Sequence, residues 1–479
     1  MRPRSRPISW RRRQPTRGWR LPSVDARQRR PKGALGVGAR ARRLLWSWWP
    51  WALISIWALI DDKWGWAVGT GVMGLLSYLT APAALPPRYG LSHEFAVESD
   101  EFLDTIAGAS SAPFVAGNSV DLLNNGDAFY PRMLEAIAEA RVSITIEAYI
   151  YWAGEVGAVF ARALADRAKA GVIVKILLDA IGSASIGADI LETLEEAGCQ
   201  VAWYNPIHWY TLGRFNNRTH RKSLIVDGHI AFTGGAGIAD HWRGNARGPD
   251  EWRDMQIRLE GPAVTPLQAG FAYNWQMTTG ELLSGAVYYP SIAPCGHLSA
   301  QTLMSSPESG ASTVRTMYYL SIVCARKSIY IANSYFLPDA VAIETLIEAR
   351  KRGIDVRIMV SGIRNDNWLA RQNSVRLFGR LLEAGIPIYE YNRTMLHHKT
   401  MVVDGVWVTI GTTNFDNRSF AHNEESNVCV FDRDLAQQLQ NIFCEDVAVC
   451  ERVDYAQWKH RGVWARTQEF VASFFEEQA

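Results

Sequence analysis

A long stretch of this chain is written twice, and the two copies keep register. Ala140-Arg141 opens the apolar run Val142–Ile146, and Ala325-Arg326 opens its counterpart Lys327–Ile331. A helix closed by glycine then leads into a strand rich in β-branched residues, at Gly171 with Val172–Leu177 and at Gly353 with Ile354–Met359. The step recurs at Glu196-Ala197-Gly198 and Glu383-Ala384-Gly385. Each copy ends in an H-x-K-x4-D motif: His220, Lys222 and Asp227, then His397, Lys399 and Asp404. The offset is 177 residues for His220 to His397, for Asp227 to Asp404 and for Gly234 to Gly411. Helices alternating with short apolar strands predict an α/β chain whose sheets are covered by helices on both faces. The repeat predicts two domains from a duplication, packed face to face.

The segment after each motif lysine is apolar enough to be a strand. Alternation then places His220 with Lys222, and His397 with Lys399, on shared faces. Two such faces meeting at a pseudo-two-fold axis give a pocket with two imidazoles and two ammonium groups. That set suits phosphodiester chemistry without a metal. One imidazole attacks phosphorus, the other protonates the leaving alkoxide, and the lysines stabilise charge on the non-bridging oxygens. An imidazole with an ordinary pKa of about 6.5 can act as acid and then as base near neutrality. Neither a glycine-rich phosphate loop nor a Cys/His cluster with zinc spacing is present, so no metal and no cofactor is expected. The six cysteines, none in a C-x2-C pair, read as reduced thiols.

The paired motifs resemble those of the phospholipase D superfamily, and within it the bacterial cardiolipin synthases. The resemblance covers roughly residues 110 to 450. It includes Asn216–Lys222, Trp252-Arg253-Asp254 and Glu260–Val264 in the first half. In the second it includes Ser334–Asp339, Gly353–Arg357, Tyr389-Glu390-Tyr391 and Gly411–Ser419. It implies tandem phospholipase D-like α/β/α sandwich domains with pseudo-two-fold symmetry, at 113–285 and 286–479, the second with a C-terminal helix. It also implies that His220 is the nucleophile and His397 the acid/base, with Lys222, Lys399 and Asn414 on phosphate oxygens. Asp227 and Asp404 become mainly structural supports. Glu425 is expected to hold the far nitrogen of His397, and Asp254 that of His220. The implied reaction is phosphatidyl transfer between two phosphatidylglycerols, giving cardiolipin and glycerol; hydrolysis by the same covalent step is the alternative. One departure stands out. The 177 offset sets Gly237 opposite Asn414 and Ala239 opposite Asp416, so the first half lacks a phosphate-binding Asn.

Charge is divided unevenly along the chain. Fifteen of the 50 Lys and Arg residues precede Leu44 against one of the 48 acids, Asp25, which leaves the rest of the chain near −12. An acidic body disfavours a nucleic-acid substrate. Residues 1–43 read as a basic disordered tail. The apolar runs Leu44–Ile60 and Trp64–Ala84, split by Asp61-Asp62-Lys63, read as a transmembrane helical hairpin, with a single span or an interfacial pair as the alternative. Arg-rich sequence before the first run keeps the tail, and with a hairpin the body, on the cytoplasmic side of the inner membrane. Residues 85–112 are expected to be a linker. The partners expected are membrane phospholipids, phosphatidylglycerol above all, and the oligomeric state is left open.

Three further features carry two readings each, and a fourth, His398, carries one. Trp203-Tyr204, His208-Trp209-Tyr210 and Phe215 line an acyl-chain entrance or fill the core. Asp366-Asn367-Trp368, with Arg364 and Arg371, forms a headgroup loop or a helix start. His398, beside His397, is turned by alternation away from the pocket and reads as packing. The aromatic and charged tail from Tyr455 through Trp464 to Phe475 lies on a membrane or docks on the second domain.

Overall fold

The computed structural model describes residues 47–79, 91, 93–207, 216–307 and 313–473. The basic tail, His208–Phe215 and Phe475 lie outside the described residues. Residues up to Ala81 and those from Pro82 onward form two separate units.

In the first unit, helices Trp48–Ile60 and Trp64–Leu79 flank the turn at Asp61-Asp62-Lys63. Ser55 Oγ on one donates to the Ala67 carbonyl on the other at 2.7 Å. Leu53, Ile56, Trp57, Ile60, Trp66, Val68 and Val72 all present more than half their surface to the outside. At about 1.5 Å per residue these helices reach roughly 20 and 24 Å, short of a hydrocarbon core of about 30 Å. Among the described residues no helix is long and apolar enough to cross a membrane. The expected hairpin is there; the expected spanning length is not, because the first helix begins only at Trp48.

The second unit is built on one large sheet. Its strands are β1 (Val115–Asn124), β2 (Ser143–Ala148), β3 (Ile173–Asp179), β4 (Gln200–Tyr204), β5 (Arg218–Thr219), β6 (Ser223–Val226), β7 (Ile230–Gly234) and β8 (Met255–Glu260). The second half adds β9 (Leu298–Ser305), β10 (Ser328–Asn333), β11 (Asp355–Ser361), β12 (Ile388–Tyr391), β13 (Lys399–Val403), β14 (Trp407–Gly411), β15 (Asn423–Phe431) and β16 (Glu451–Arg452). From one edge the order is β4-β3-β2-β6-β7-β8-β1, and it continues β9-β15-β14-β13-β10-β11-β12-β16. Apart from the short edge strand β16, the order reads outward from the β1–β9 pair as the same sequence of equivalent strands twice. The duplication is therefore legible in the hydrogen bonding. The parallel pairs β2–β3 and β10–β11, with helices Glu155–Lys169 and Ala340–Lys351 between them, are the βαβ steps read from the sequence. Ile225, Ile257 and Leu259 share one buried cluster with Val402, Val408 and Ile410, so one part of the core is common to both halves.

The stretch expected to be a linker is partly folded into this unit. Helix Asp100–Ser110 is capped by Ser99 and buries Phe102 and Ile106. Phe102 meets Trp407 edge-on at 5.0 Å. Phe102 and Ile106 belong to the core.

The motif aspartates explain their own spacing. Asp227-Gly228 and Asp404-Gly405 have φ of 50° and 67°, and 54° and 66°. They form the tight turns of the β6–β7 and β13–β14 hairpins, closed by His229 N on the Val226 carbonyl and Val406 N on the Val403 carbonyl. From there the Asp227 carboxylate accepts from the amides of Arg141, Val142 and Ser143, and Asp404 from those of Arg326, Lys327 and Ser328. Each aspartate ties its hairpin to the start of the neighbouring strand. At about 3.3 Å per residue it sits roughly 15 Å from the motif lysine, too far to touch a substrate there. Asp404→Ala orphans three amides and leaves Ala in the left-handed region, so a loss of about 3 kcal/mol is expected. Denaturant unfolding measures it, and an unchanged midpoint would refute the tethering role.

Candidate active site

The two motifs meet through a crossing of chains. The start of β15 runs parallel to β5, with Asn423 beside Arg218 and Glu424 beside Thr219. His220 N then donates to the Glu424 carbonyl at 2.9 Å. In the other half Arg253 pairs with Leu396 in a parallel bridge, and His397 N donates to the Arg253 carbonyl at 2.7 Å. Each half thus threads a carboxylate-bearing segment alongside the other half's histidine.

The side chains follow. His220 Nδ1 lies 3.0 and 3.1 Å from the two oxygens of Glu425, and His397 Nδ1 lies 2.8 Å from Asp254 Oδ2. The pairing expected from the resemblance is reversed: Glu425 serves His220 and Asp254 serves His397. The expectation kept each carboxylate near a histidine of its own half or motif, and the chain crossing exchanges them. With both Nδ1 atoms engaged, both Nε2 atoms are left for chemistry. Lys222 Nζ donates to the His220 carbonyl at 2.8 Å. Lys399 Nζ lies 3.2 Å from His397 Nε2 and also bonds the His397 carbonyl. Ser334 Oγ lies 3.3 Å from that same carbonyl and 3.2 Å from Asn414 Oδ1, which brings Asn414 to the His397 side.

The carboxylates are themselves fixed, by different means. Asp254 accepts from Trp242 Nε1 at 2.8 Å and from the Met255 amide at 2.7 Å. Glu425 accepts from Thr412 Oγ1 at 2.5 Å and Asn423 Nδ2 at 3.3 Å. Thr412 falls opposite Gly235 in the repeat, where a Cβ would lie 2.1 Å from Asp254 Oδ1. One half leaves room for its carboxylate and the other supplies a hydroxyl. Gly237, opposite Asn414, has the same logic: a Cβ there would lie 2.7 Å from the Ile150 carbonyl. The missing asparagine of the first half has no space to exist.

Two buried ion pairs hold the crossing segments. Arg221 bonds Glu424 and donates to the Ser305 carbonyl at 2.9 Å. Arg253 pairs with Asp446 at 2.7 Å and reaches Asn125 Oδ1 at 3.0 Å. His398 is turned to Thr400 Oγ1, 3.2 Å away, with Nε2 3.9 Å from Asp446. It packs beside this clamp and not with His397. Aromatic rings wall the pocket: Tyr149 sits 5.2 Å from His220, and Trp242, Trp252 and Tyr335 sit 5.4, 5.3 and 6.4 Å from His397. Trp242 and Thr412 went unnoticed as supports in the sequence. The repeat held a signal for Thr412, as a hydroxyl standing opposite a glycine.

Electrostatics separates the two histidines. Burial, then Lys222, Lys399 and Arg418, pushes His220 well below its ordinary value. Burial and Lys399 take His397 down to about 4, against the pull of Asp254. Burial lowers Lys399 to about 8 and lowers Lys222 as well. Glu425 is raised by burial. Burial also pushes Asp254 upward, but the His397 ring, its hydrogen bond and Lys399 outweigh that and leave it below the ordinary carboxylate value. Among the described residues no group of three or more His, Cys, Asp or Glu is arranged to hold a metal ion.

Comparison with known proteins agrees with this geometry. A family model described as "Cardiolipin synthase, PLD-like domain" matches residues 133–245 and 321–447. The major cardiolipin synthase of Bacillus subtilis (strain 168) is 34% identical over 364 residues, covering 75% of each chain. A cardiolipin synthase of Geobacillus kaustophilus is 33% identical over 363 residues, covering 75% of this chain and 72% of its own. The crystal structure of a phosphatidylserine synthase from Haemophilus influenzae superposes with a TM-score of 0.62 at 14% identity. It covers 78% of this chain and 97% of that one, and it supports the fold alone.

The neutral histidines give a pH signature. His397 binds its proton less readily folded, near 4, than unfolded, near 6.5, so its contribution to stability is complete above 6.5. It is lost as pH falls toward 4, by about 3 kcal/mol at order of magnitude. Unfolding free energies from pH 7 to 4 for the parent and a His397→Gln variant test this. The variant should show the shallower slope, and parallel curves would refute the burial of a neutral imidazole.

Proposed function

Because this chain belongs to the phospholipase D superfamily, in its cardiolipin synthase family, we propose that it transfers a phosphatidyl group between two phosphatidylglycerol molecules. The observation that carries the reading is the reciprocal pair of imidazoles, each with Nδ1 on a carboxylate of the other half and each beside a lysine. His220 Nε2 attacks phosphorus of the first lipid. The bond from phosphorus to glycerol oxygen breaks as His397 Nε2 delivers a proton to that oxygen, and glycerol departs. The hydroxyl of a second phosphatidylglycerol then gives its proton to the neutral His397 and attacks phosphorus. The P–N bond breaks, and cardiolipin leaves with His220 restored.

Assigning the nucleophile to His220 follows from the carboxylates. Asp254 stays ionised and supports an imidazolium at His397, the state an acid needs. Glu425, raised by burial, gives His220 less support for a positive charge and leaves a neutral nucleophile. An entering phosphodiester anion offsets Lys222 and Lys399, which raises His397 from its empty-pocket value. The lysines and Asn414 hold the non-bridging oxygens. Asp227 and Asp404 contribute by holding the hairpins.

The body then consists of tandem domains, 113–285 and 286–479, related by a pseudo-two-fold axis at the β1–β9 pair. The hairpin at 44–84 attaches the chain to the inner membrane, a reading supported by its outward apolar side chains. The body is placed on the cytoplasmic side, by the arginines ahead of the hairpin.

Labelled phosphatidylglycerol in mixed micelles with the full chain and a chelator tests the reaction. Cardiolipin and free glycerol in equal amounts are expected, with His220→Ala reducing turnover to background. His397→Gln should lose about 10³-fold on phosphatidylglycerol yet still release nitrophenol from a nitrophenyl phosphatidyl ester, whose leaving group needs no proton. Phosphatidic acid as the main product would favour hydrolysis by the same covalent step, and turnover that survives His220→Ala would sink both.

A further inference from the structure

The helix Val463–Ala472 is inside out, and it lies beyond the residues matched by the family model. Toward the body it turns Glu469 and Ala472, both buried. Glu469 is bound by Arg461, and Asn373 Nδ2 holds the Ala472 carbonyl at 2.9 Å. Trp458, just upstream, donates to the Val375 carbonyl at 2.7 Å and carries the Arg461 guanidinium 3.9 Å above its ring. The inward face is therefore latched by polar contacts. Outward it presents Val463 at 81%, Trp464 at 73%, Phe470 at 59% and Val471 at 46% exposure. Positions 463, 464, 467, 470 and 471 fall on one side of a helix of 3.6 residues per turn. A helix in a water-facing position would carry the opposite pattern, and contiguous exposed apolar surface of this kind marks a docking face.

Two observations identify what docks. The first is charge. Arg461 is consumed by Glu469, which leaves Lys459 and Arg466 exposed at the margin of the apolar face, a basic collar on an otherwise acidic body. The second is position. The partner helix Trp368–Glu383 takes Trp458 at Val375 and the Ala472 carbonyl at Asn373, so the end of Val463–Ala472 is held within the first two turns of a helix that begins at Trp368. Trp368 is itself 48% exposed and Ile363 is 68% exposed. Between them Asp366 bonds the Tyr335 hydroxyl, and the Tyr335 ring is 6.4 Å from that of His397. The inverted helix is thus packed on an element whose start borders the wall of the catalytic pocket.

We propose that the outer face of helix Val463–Ala472, with Lys459 and Arg466, docks onto an anionic phospholipid surface and seats the pocket mouth at the lipid headgroups. Trp464 and Phe470 enter the interfacial layer while the two basic groups meet lipid phosphates. The proposal rests on the reading that the substrates are phospholipids, but its test does not depend on turnover. In the full chain, with Cys295, Cys444 and Cys450 changed to Ser, a nitroxide is attached through Val463→Cys. The protein is then held in nanodiscs of phosphatidylcholine with or without phosphatidylglycerol.

In anionic discs the label should become accessible to oxygen and shielded from an aqueous nickel chelate. Lys459→Glu with Arg466→Glu should return it to the zwitterionic value. A label equally open to the chelate in both discs overturns the proposal, and so does one equally shielded whatever the lipid charge. As a second readout, Trp464→Ser with Phe470→Ser should raise the interfacial KM for bilayer phosphatidylglycerol about tenfold. It should leave kcat on a monomeric short-chain phosphatidylglycerol unchanged; an equal loss on both substrates overturns the docking role. A parent chain inactive on both lipids would instead refute the proposed reaction, with the label still reporting on docking.

Discussion

Everything at this site depends on two backbone hydrogen bonds that join one half of the chain to the other, His220 N to the Glu424 carbonyl and His397 N to the Arg253 carbonyl. Each fixes a histidine in register with a carboxylate one residue further along the crossing segment. Arg221–Glu424 and Arg253–Asp446 clamp those segments from beneath, with every partner buried or nearly so. Breaking one partner of a buried pair leaves an uncompensated charge, which costs several kcal/mol. The clamps therefore make the exchanged arrangement hard to undo. Neither half holds a complete site on its own, and the sheet too is continuous from one half to the other across β1 and β9.

The pocket collects two lysines, two histidines and two carboxylates out of water, and burial is the first cause of nearly every shift there. Without an anion, the positive groups repel one another and yield protons. A phosphodiester supplies the missing negative charge, so binding and protonation of the acid are linked. The symmetry of the strands does not extend to this balance. Gly235 admits Asp254 where Thr412 bonds Glu425, and Gly237 excludes the side chain that Asn414 provides. A duplicated scaffold thereby holds two imidazoles of different character, as a reaction with one nucleophile and one acid requires.

The fold class and the motif positions were legible in the sequence because they are local or periodic. Glycine-closed helices, β-branched strands and the 177-residue offset need no knowledge of what lies opposite. The supporting role of the aspartates came from the family resemblance, and the Asp-Gly turns that explain it are seen only in the structure. The carboxylate pairing was not legible. Glu425 and Asp254 were identified, but their partners are set by chain crossing, and no one-dimensional pattern records a crossing. The helix Asp100–Ser110 was hidden for a related reason: two buried side chains, Phe102 and Ile106, are too few to show a period and acquire meaning only against Trp407.

A phosphatidyl substrate imposes one more constraint on this architecture. Moving acyl chains into water costs about 0.8 kcal/mol per methylene, so a chain of roughly 16 carbons costs about 12 kcal/mol and a lipid with two such chains about twice that. Few binding sites recover so much, and the histidines here are buried behind a wall of aromatic rings. The phosphate must therefore enter while the acyl chains remain in the bilayer, and the pocket mouth has to lie at the headgroup level. Exposed apolar side chains at Ile363 and Trp368, with an inverted helix packed on the same element that offers Trp464 and Phe470 to the outside, meet that demand with groups that would be a liability in water. The same geometry would let donor and acceptor lipids arrive from one surface in turn, as the proposed phosphohistidine at His220 requires.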